Sequence, residues 1–440
     1  MRDILLSLLT FTYLVDRYFV SLMKLIAIIR PNYNDEYRQV SLMEKYKYLI
    51  IGGGMTADSA VQGIRSIDGK GTIGLISLES DPPYDRPPLS KGLWTGDVNF
   101  EEIWRPTQDA GAILHLGQCV QSIDPARKQV TTQAGVKYQY QKLLLATGGT
   151  PRRLLQDISD VIYYRTLQDY KKLLAAVERY DNFCVIGGGF IGSELAAALN
   201  MQGKTVTMIF PEVGVGGRVF PTELSKYLSS YYQKKGVTIR SGELVTSMNK
   251  TGKTIHIQTN EDSKVTADCV IAGIGIIPNT TLAEAAGLSV DNGIMVDQYL
   301  RTSESTIFAA GDVANFENPH LGKRIRVEHE DNANVMGELA GQNMAGEMSP
   351  YEYLPSFYSD LFDIGYEAVG ELDARFPTIL DWKEEFHEGV IYYLNQNRIQ
   401  GIILWNVWDQ LDPAREIIAQ KEFKQSSDVI GLLPQNTSEQ

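Results

Sequence analysis

The chain has 440 residues, 43% hydrophobic and 22% charged, with a formal net charge of −13. That length supports two or three domains with proper cores, and the composition is ordinary for a globular protein. The acidic balance argues against a nucleic-acid partner, which needs a basic surface, and the densest basic cluster, GKRIR at 322–326, reads as a solvated loop.

The first 45 residues carry two apolar runs, 4–15 and 18–29, broken by Asp16, Arg17 and Lys24. A spanning helix needs roughly 20 apolar residues without central charges, and no small-residue cleavage pattern follows the first run. Two readings stand: a segment that seeks the membrane surface peripherally, or an extension outside the fold, with Met43 as the natural start. The second is preferred, and a cytoplasmic location is expected, with peripheral membrane association through residues 4–29 as the alternative. Cys119, Cys184 and Cys269 include no CxxC pair, so neither a dithiol centre nor a cysteine-based metal site is expected. Cys184, within an apolar run, reads as a packing residue, and a reducing compartment is the default.

The chain then spells almost the same phrase twice. YLII (48–51) reads as a buried strand leading into Gly52-Gly53-Gly54-Met55-Thr56-Ala57, a GxGxxA pattern. Gly52 permits the tight turn, Gly54 lets backbone approach a pyrophosphate, and Ala57 keeps the following helix close to the sheet. Phosphates favour such a helix N-terminus. A second strand, 72–79, ends in Glu79, about 20 residues on, where an acid would grip a ribose. NFCVI (182–186) repeats the arrangement with Gly187, Gly189 and Gly192, and the run 204–212 delivers Glu212 at the matching distance. A carboxylate there favours NADH over NADPH, although Arg218 stands nearby. Two complete strand–glycine–helix–strand–acid units predict two dinucleotide sites and a hydride relay between a nicotinamide and a flavin.

Five further segments follow in order: PPYDRPPLSKGLW (82–94), LLLATGGTPRRL (143–154), STIFAAGDVANF (305–316), RVEHEDNANVMGELAGQNMAG (326–346) and GYEAVGELD (365–373). This run resembles apoptosis-inducing factor and the ferredoxin-reductase-like flavoproteins of its fold, over about residues 46–420. The resemblance implies FAD at the first glycine site and NAD(P)H at the second. It places Asp312 on the flavin ribityl chain, the alternative being a helix N-cap. It sets Arg86 on the FAD pyrophosphate or adenine, the alternative being a surface arginine, and Ala146 and Gly148 in the ATGG cofactor segment. Lys91 and Glu194 match a family pair beside the flavin, where the lysine would stabilise negative charge as the flavin is reduced. The plainer reading of Glu194 is a carboxylate in a helix's first turn. Glu328 and His329 match a pair near the nicotinamide and isoalloxazine, for positioning and electrostatic tuning rather than obligatory proton transfer. Where the family has FWSD, this chain has FYSD, so Tyr358 offers the nicotinamide a smaller aromatic face. The paired cysteines of disulfide-reductase relatives are absent.

The implied architecture is α/β: glutathione-reductase-type Rossmann-like FAD and NAD(P) domains, the second inserted in the first, plus an α+β C-terminal domain. The expected boundaries are an extension at 1–45, an FAD domain at 46–165 and 277–355, an NAD(P)H domain at 166–276, and a C-terminal domain at 356–440. GIGIIPN (273–279) would cross back, with Gly275 either close to the nicotinamide nucleotide or a plain connecting turn. In the last domain, 389–394 and 401–408 read as strands of a hairpin, and LDPAREIIAQ as a helix with Asp412 as N-cap and Pro413 at its first position. Trp405 and Trp408 read as core or interface residues. The function expected is an FAD-dependent NAD(P)H oxidoreductase, NADH favoured. Its electrons would go to quinone, oxygen or a small iron–sulfur carrier; subunit contacts could form a homodimer. The alternatives are a ferredoxin or rubredoxin reductase component and an NADH-gated interaction protein.

Overall fold

The computed structural model describes residues 43–155, 158–396, 398–420 and 428–433. The apolar runs at 4–15 and 18–29, and both readings of them, lie outside the described residues. Among the described residues, no helix is long and apolar enough to cross a membrane.

The first module is built on strand Glu44–Ile51, whose last four residues are all buried. Ile73–Ile76 and Ala112–His115 extend the sheet in parallel on one side, and Lys137–Leu145 does so on the other. Unbroken apolar runs such as LII and LLL mark strands covered on both faces. Ile307–Ala309 returns from late in the chain to pair in parallel with Leu143–Leu145. The early half of Lys137–Leu145 instead pairs antiparallel with Gln129–Thr132, which pairs in turn with Val120–Asp124. Ile51 is level with both Ile76 and Leu145, so the loops leaving these strands gather at one sheet edge.

Two helices pack face to face over this sheet, Met55–Ile67 and Glu330–Ala345. Glycines set their approach. A methyl on Gly63 would fall 2.0 Å from the Glu338 carbonyl, and one on Gly341 2.1 Å from that of Ala60. No side chain can give way there, so a larger residue must part the two backbones.

The second module is an all-parallel sheet in the order Thr238–Ser241, Thr205–Phe210, Asn182–Ile186, Cys269–Ala272, Val161–Tyr163. A three-stranded antiparallel meander, Val245–Thr251, Thr254–Thr259 and Lys264–Ala267, accompanies it. Cys184 is fully buried in its core, as read from the sequence. Helix Thr222–Lys234 follows the Gly214–Gly217 loop and leads into Thr238–Ser241. The chain comes back through Ile276–Pro278, which pairs antiparallel with Gly149–Pro151, so the module is inserted between two hydrogen-bonded segments.

The C-terminal sheet is antiparallel, ordered Ser356–Leu361, Ile364–Gly370, Arg398–Trp405, Glu388–Asn395, Thr378–Glu384. Alternation divides its faces. Tyr366, Ala368, Ile403 and Trp405 join the core around Phe220 of the second module, while Val369, Val390, Ile402 and Leu404 share a core with helix Leu411–Ala419.

Two sequence expectations need correction. Helix Leu411–Ala419 starts before Asp412, with Gln410 as N-cap, so Pro413 is its third residue. A proline fits there because first-turn N–H groups have no intrahelical partner. The basic cluster is not a solvated loop: Lys323–Ile325 is a strand, and Arg324 donates to Asn315 and to the Val296 carbonyl. Trp405 is fully buried, a core residue as expected, and Trp408 is 41% exposed and seated on Gly365, where no side chain stands in its way.

Candidate functional site

The first glycine turn forms where strand Glu44–Ile51 meets helix Met55–Ile67. Gly52 has φ +134°, and a methyl there would lie 2.1 Å from the Ala146 carbonyl, so only glycine fits. Gly54 differs: its missing methyl would meet nothing nearer than the Arg86 guanidinium at 3.7 Å, leaving open space at the helix N-terminus. That space belongs to a cleft of about 800 Å³ lined by the glycine turn, Glu79, Arg86, Ala146, Gly148 and Asp312. Glu79 and Asp312 are already engaged. Glu79 accepts from Arg86 at 2.5 Å and Tyr84 at 2.6 Å, and Asp312 pairs with Arg165 at 2.5 Å. Arg86 also donates to the Arg165 carbonyl at 3.0 Å, so it is part of a built wall and not a free surface arginine. Asp312 sits in a single 3₁₀ turn, Gly311–Val313, whose N-cap is Ala310.

The second turn repeats these constraints with one difference. Gly187 has φ +113°, and its methyl would meet the Gly273 carbonyl at 2.3 Å. Gly189, the N-cap of helix Phe190–Met201, has no atom within 4 Å of that position. At the third position, Ala57 is tolerated in the first turn, whereas a methyl on Gly192 would come 2.1 Å from the Gly187 carbonyl. The second helix therefore approaches its own turn more closely. Glu212 follows strand Thr205–Phe210 and is bridged by Arg218 at 2.5 Å, with Arg218 itself 78% exposed. Gly275 has φ +89°, which suits the turn back to the first module, and its missing methyl faces the Arg152 side chain at 3.8 Å. Both turns thus leave open exactly the space that the middle glycine keeps for a pyrophosphate, and their donor sets fit dinucleotides.

Between the two modules stands a cluster drawn from distant parts of the chain. Lys91 Nζ lies 3.3 Å from Glu194 Oε1, donates to the Tyr358 carbonyl at 2.9 Å, and sits 3.8 Å from the centre of the Tyr358 ring. Glu194 is 5% exposed and also accepts from Ser90 and Ser359. An ammonium beside a buried carboxylate is held there as a charged pair. Tyr358 is 46% exposed. Partial burial, then the carboxylates of Glu330, Asp360, Glu194 and Asp85, push its phenol up to about 12.

His329 is the N-cap of helix Glu330–Ala345 and stacks on Phe357 at 4.2 Å, with Phe190 edge-on at 6.0 Å. An edge of the residue stays accessible, but protein encloses the ring, and that burial lowers its pKa to about 4 against the pull of Asp312 and Asp331. It is a neutral imidazole at physiological pH. Glu328 is turned to Arg326 at 2.6 Å and is exposed.

The structure therefore gathers Glu79, Arg86 and Asp312 at the first turn and Lys91, Glu194 and Tyr358 between the modules, leaves Glu212 with the second turn, and puts Gly275 on the return to the first module, against Arg152. Arg165, Ser90, Ser359, Phe190 and Phe357 were not anticipated. Ser90 and Ser359 adjoin Lys91 and Tyr358, and Phe190 follows the last packed glycine, so adjacency was a usable signal for these. Arg165 offered none.

Two nucleotide-binding Rossmann-like modules joined through one charged cluster define a two-dinucleotide flavoprotein. Residues 46–337 match the family described as pyridine nucleotide-disulphide oxidoreductase, to which the chain belongs. Residues 340–383 and 380–420 match the C-terminal region of apoptosis-inducing factor, mitochondrion-associated. The chain is 35% identical over 422 residues to mitochondrial apoptosis-inducing factor 1 of Dictyostelium discoideum, covering 86% of this chain and 79% of that one. It is 34% identical to the ferredoxin reductase subunit of a dehydrodivanillate O-demethylase from a Sphingobium species, covering 82% and 90%. Among solved structures it resembles the reductase in a covalent putidaredoxin reductase–putidaredoxin complex, with TM-score 0.80, 30% identity and coverage of 86% and 93%. The protein is an NAD(P)H-dependent FAD oxidoreductase that passes electrons to an acceptor. Its three cysteines are all free.

Proposed function

We propose that FAD is held at the first glycine turn and NADH at the second, and that the acceptor is a small neutral molecule, quinone or oxygen. The observation that carries the pairing is the Lys91–Glu194 contact, because it ties the first module to the second glycine helix, where Glu194 stands past the first turn and not within it. Gly52, Gly54, Ala57, Glu79, Arg86, Ala146, Gly148 and Asp312 would hold FAD. Gly187, Gly189, Gly192, Glu212, Gly275, Glu328 and Tyr358 would hold NADH. When bound, FAD supplies a hydride acceptor for NADH and an electron source for the second substrate.

Lys91 offers positive charge where the cofactor gains negative charge, and Glu194 keeps that cation in place at low solvent exposure. His329, neutral and stacked on Phe357, contributes shape and polarity without needing to move a proton. Glu212 supports NADH because a carboxylate repels a ribose phosphate, and its bridge to Arg218 occupies the cation that would otherwise receive one.

The choice of a small neutral acceptor draws on charge. Glu330, Asp360 and Asp85 are the carboxylates that act on the exposed Tyr358 ring along with Glu194. That surround disfavours an acidic protein carrier. A second reading, a reductase for a small iron–sulfur carrier, draws on the likeness to the putidaredoxin and O-demethylase reductases. A cytoplasmic location is supported by the three free cysteines, which suit a reducing compartment. An NADH-against-NADPH reduction titration followed by stopped-flow reoxidation tests all this. Faster reoxidation by a purified iron–sulfur carrier than by quinone or oxygen would select the second reading, and a strong NADPH preference would overturn the role of Glu212.

A further inference from the structure

The Glu194 carboxylate is held by more than Lys91. Ser90 Oγ donates to Oε2 and Ser359 Oγ to Oε1, each at 2.6 Å. All three side chains are buried: Ser90, Ser359 and Glu194 are 4%, 1% and 5% exposed. The three come from separate parts of the fold. Ser90 closes the 3₁₀ turn Pro87–Leu89, Glu194 stands on the second glycine helix, and Ser359 lies on strand Ser356–Leu361 of the C-terminal sheet.

A carboxylate spreads one negative charge over two acceptor oxygens, and here each already receives a short hydroxyl bond. Lys91 stays 3.3 Å away, beyond the roughly 2.7–2.9 Å of a direct charge-assisted N–H···O bond. One of its three N–H groups goes to the Tyr358 carbonyl. The ammonium is thus anchored without being drawn fully onto the carboxylate.

We propose that Ser90 and Ser359 are positioning residues for hydride transfer: by satisfying Glu194 they keep the Lys91 ammonium displaced from it and turned to the flavin. The proposal rests on the reading of Lys91 and Glu194 as the pair beside that cofactor. The step itself is unchanged, one hydride with its two electrons passing from NADH to FAD. Remove either hydroxyl, and a buried carboxylate oxygen is left with Lys91 as its strongest neighbouring donor. The ammonium closes onto it, and the positive potential at the flavin falls.

The test compares holoenzymes of the wild type, Ser90→Ala, Ser359→Ala, Ser359→Thr and Lys91→Met. Three quantities are read: the rate of flavin bleaching by NADH, the midpoint potential of bound FAD, and the unfolding temperature. Each alanine variant is expected to bleach about tenfold more slowly and at a lower midpoint potential, with Ser359→Thr restoring both. If Ser359→Ala does not fold, Ser359→Cys, a weaker donor of similar size, takes its place. Alanine variants with wild-type potential overturn the proposal, whether their bleaching is normal or slowed through a loosened fold. Lys91→Met bleaching at the wild-type rate would instead overturn the reading of Lys91 underneath it.

Discussion

Lys91 and Glu194, 3.3 Å apart, belong to different nucleotide-binding modules, and their contact is an ion pair between the two in which Glu194 is buried and Lys91 half-buried. Removing one partner leaves the other charge uncompensated at low exposure. Glu194→Ala is expected to cost about 3 kcal/mol in chemical denaturation. Lys91→Met, which removes the charge and keeps the bulk, should cost less stability and slow flavin reduction by NADH about tenfold or more. Equal reduction rates in Lys91→Met and wild type would refute the catalytic part.

The glycines of the second turn separate a folding role from a binding role. Gly189→Ala places its methyl in open space, so stability should change by less than about 1 kcal/mol, while NADH binding weakens at least about tenfold. Gly192→Ala meets a carbonyl at 2.1 Å and should lose about 2 kcal/mol or more. Isothermal titration with NADH and thermal unfolding, run on both variants, read the two effects. Tight NADH binding by Gly189→Ala would remove this turn from the nucleotide site.

Tyr358 presents a single ring, 46% exposed, above the Lys91 ammonium. Tyr358→Trp is expected to lengthen the life of the complex between reduced enzyme and NAD, because the larger face gains stacking area. Tyr358→Ala should shorten it. Long-wavelength charge-transfer absorbance, followed after anaerobic reduction, reports both.

His329 gives stability a defined acid dependence. Its folded pKa, about 4, lies below the ordinary 6.5, so the unfolded chain binds the extra proton first. The contribution is complete above about pH 6.5 and is lost as pH falls toward 4, by about 2 to 3 kcal/mol. His329→Gln removes the titrating group. The difference between variant and wild-type unfolding free energies should therefore change across that window and be flat above it. A difference flat throughout would mean that the imidazole is solvated.

Glu212 and Arg218 hold each other at 2.5 Å at the end of a strand of the second module. Glu212→Ala frees the guanidinium, so kcat/KM for NADPH should rise and that for NADH fall, each by about tenfold. Steady-state kinetics with both coenzymes check this.

Much of the molecule was legible because glycine requirements are local. Gly52 and Gly187 need backbone that other residues strain to adopt, and each announces a turn within six residues of sequence. Glu79 and Glu212 were readable from their spacing beyond the glycine turns, although their strands end earlier, at Ile76 and Phe210. The rest depends on partners far apart: Arg165 meets Asp312 across 147 positions, and Ser359 meets Glu194 across 165. No periodicity encodes such meetings. Pro413 stands third in its helix and not first, because N–H groups throughout the first turn lack intrahelical partners and the preference for the first position does not exclude the others.

The pairing of Gly149–Pro151 with Ile276–Pro278 has a practical corollary. Everything strung between those two short strands begins and finishes at one spot, so it can be lifted out as a cassette. Splicing in the matching portion of a reductase with the opposite coenzyme taste would demand that the two seams still zip together and that Arg165, Glu194 and Phe220 find their partners outside it again.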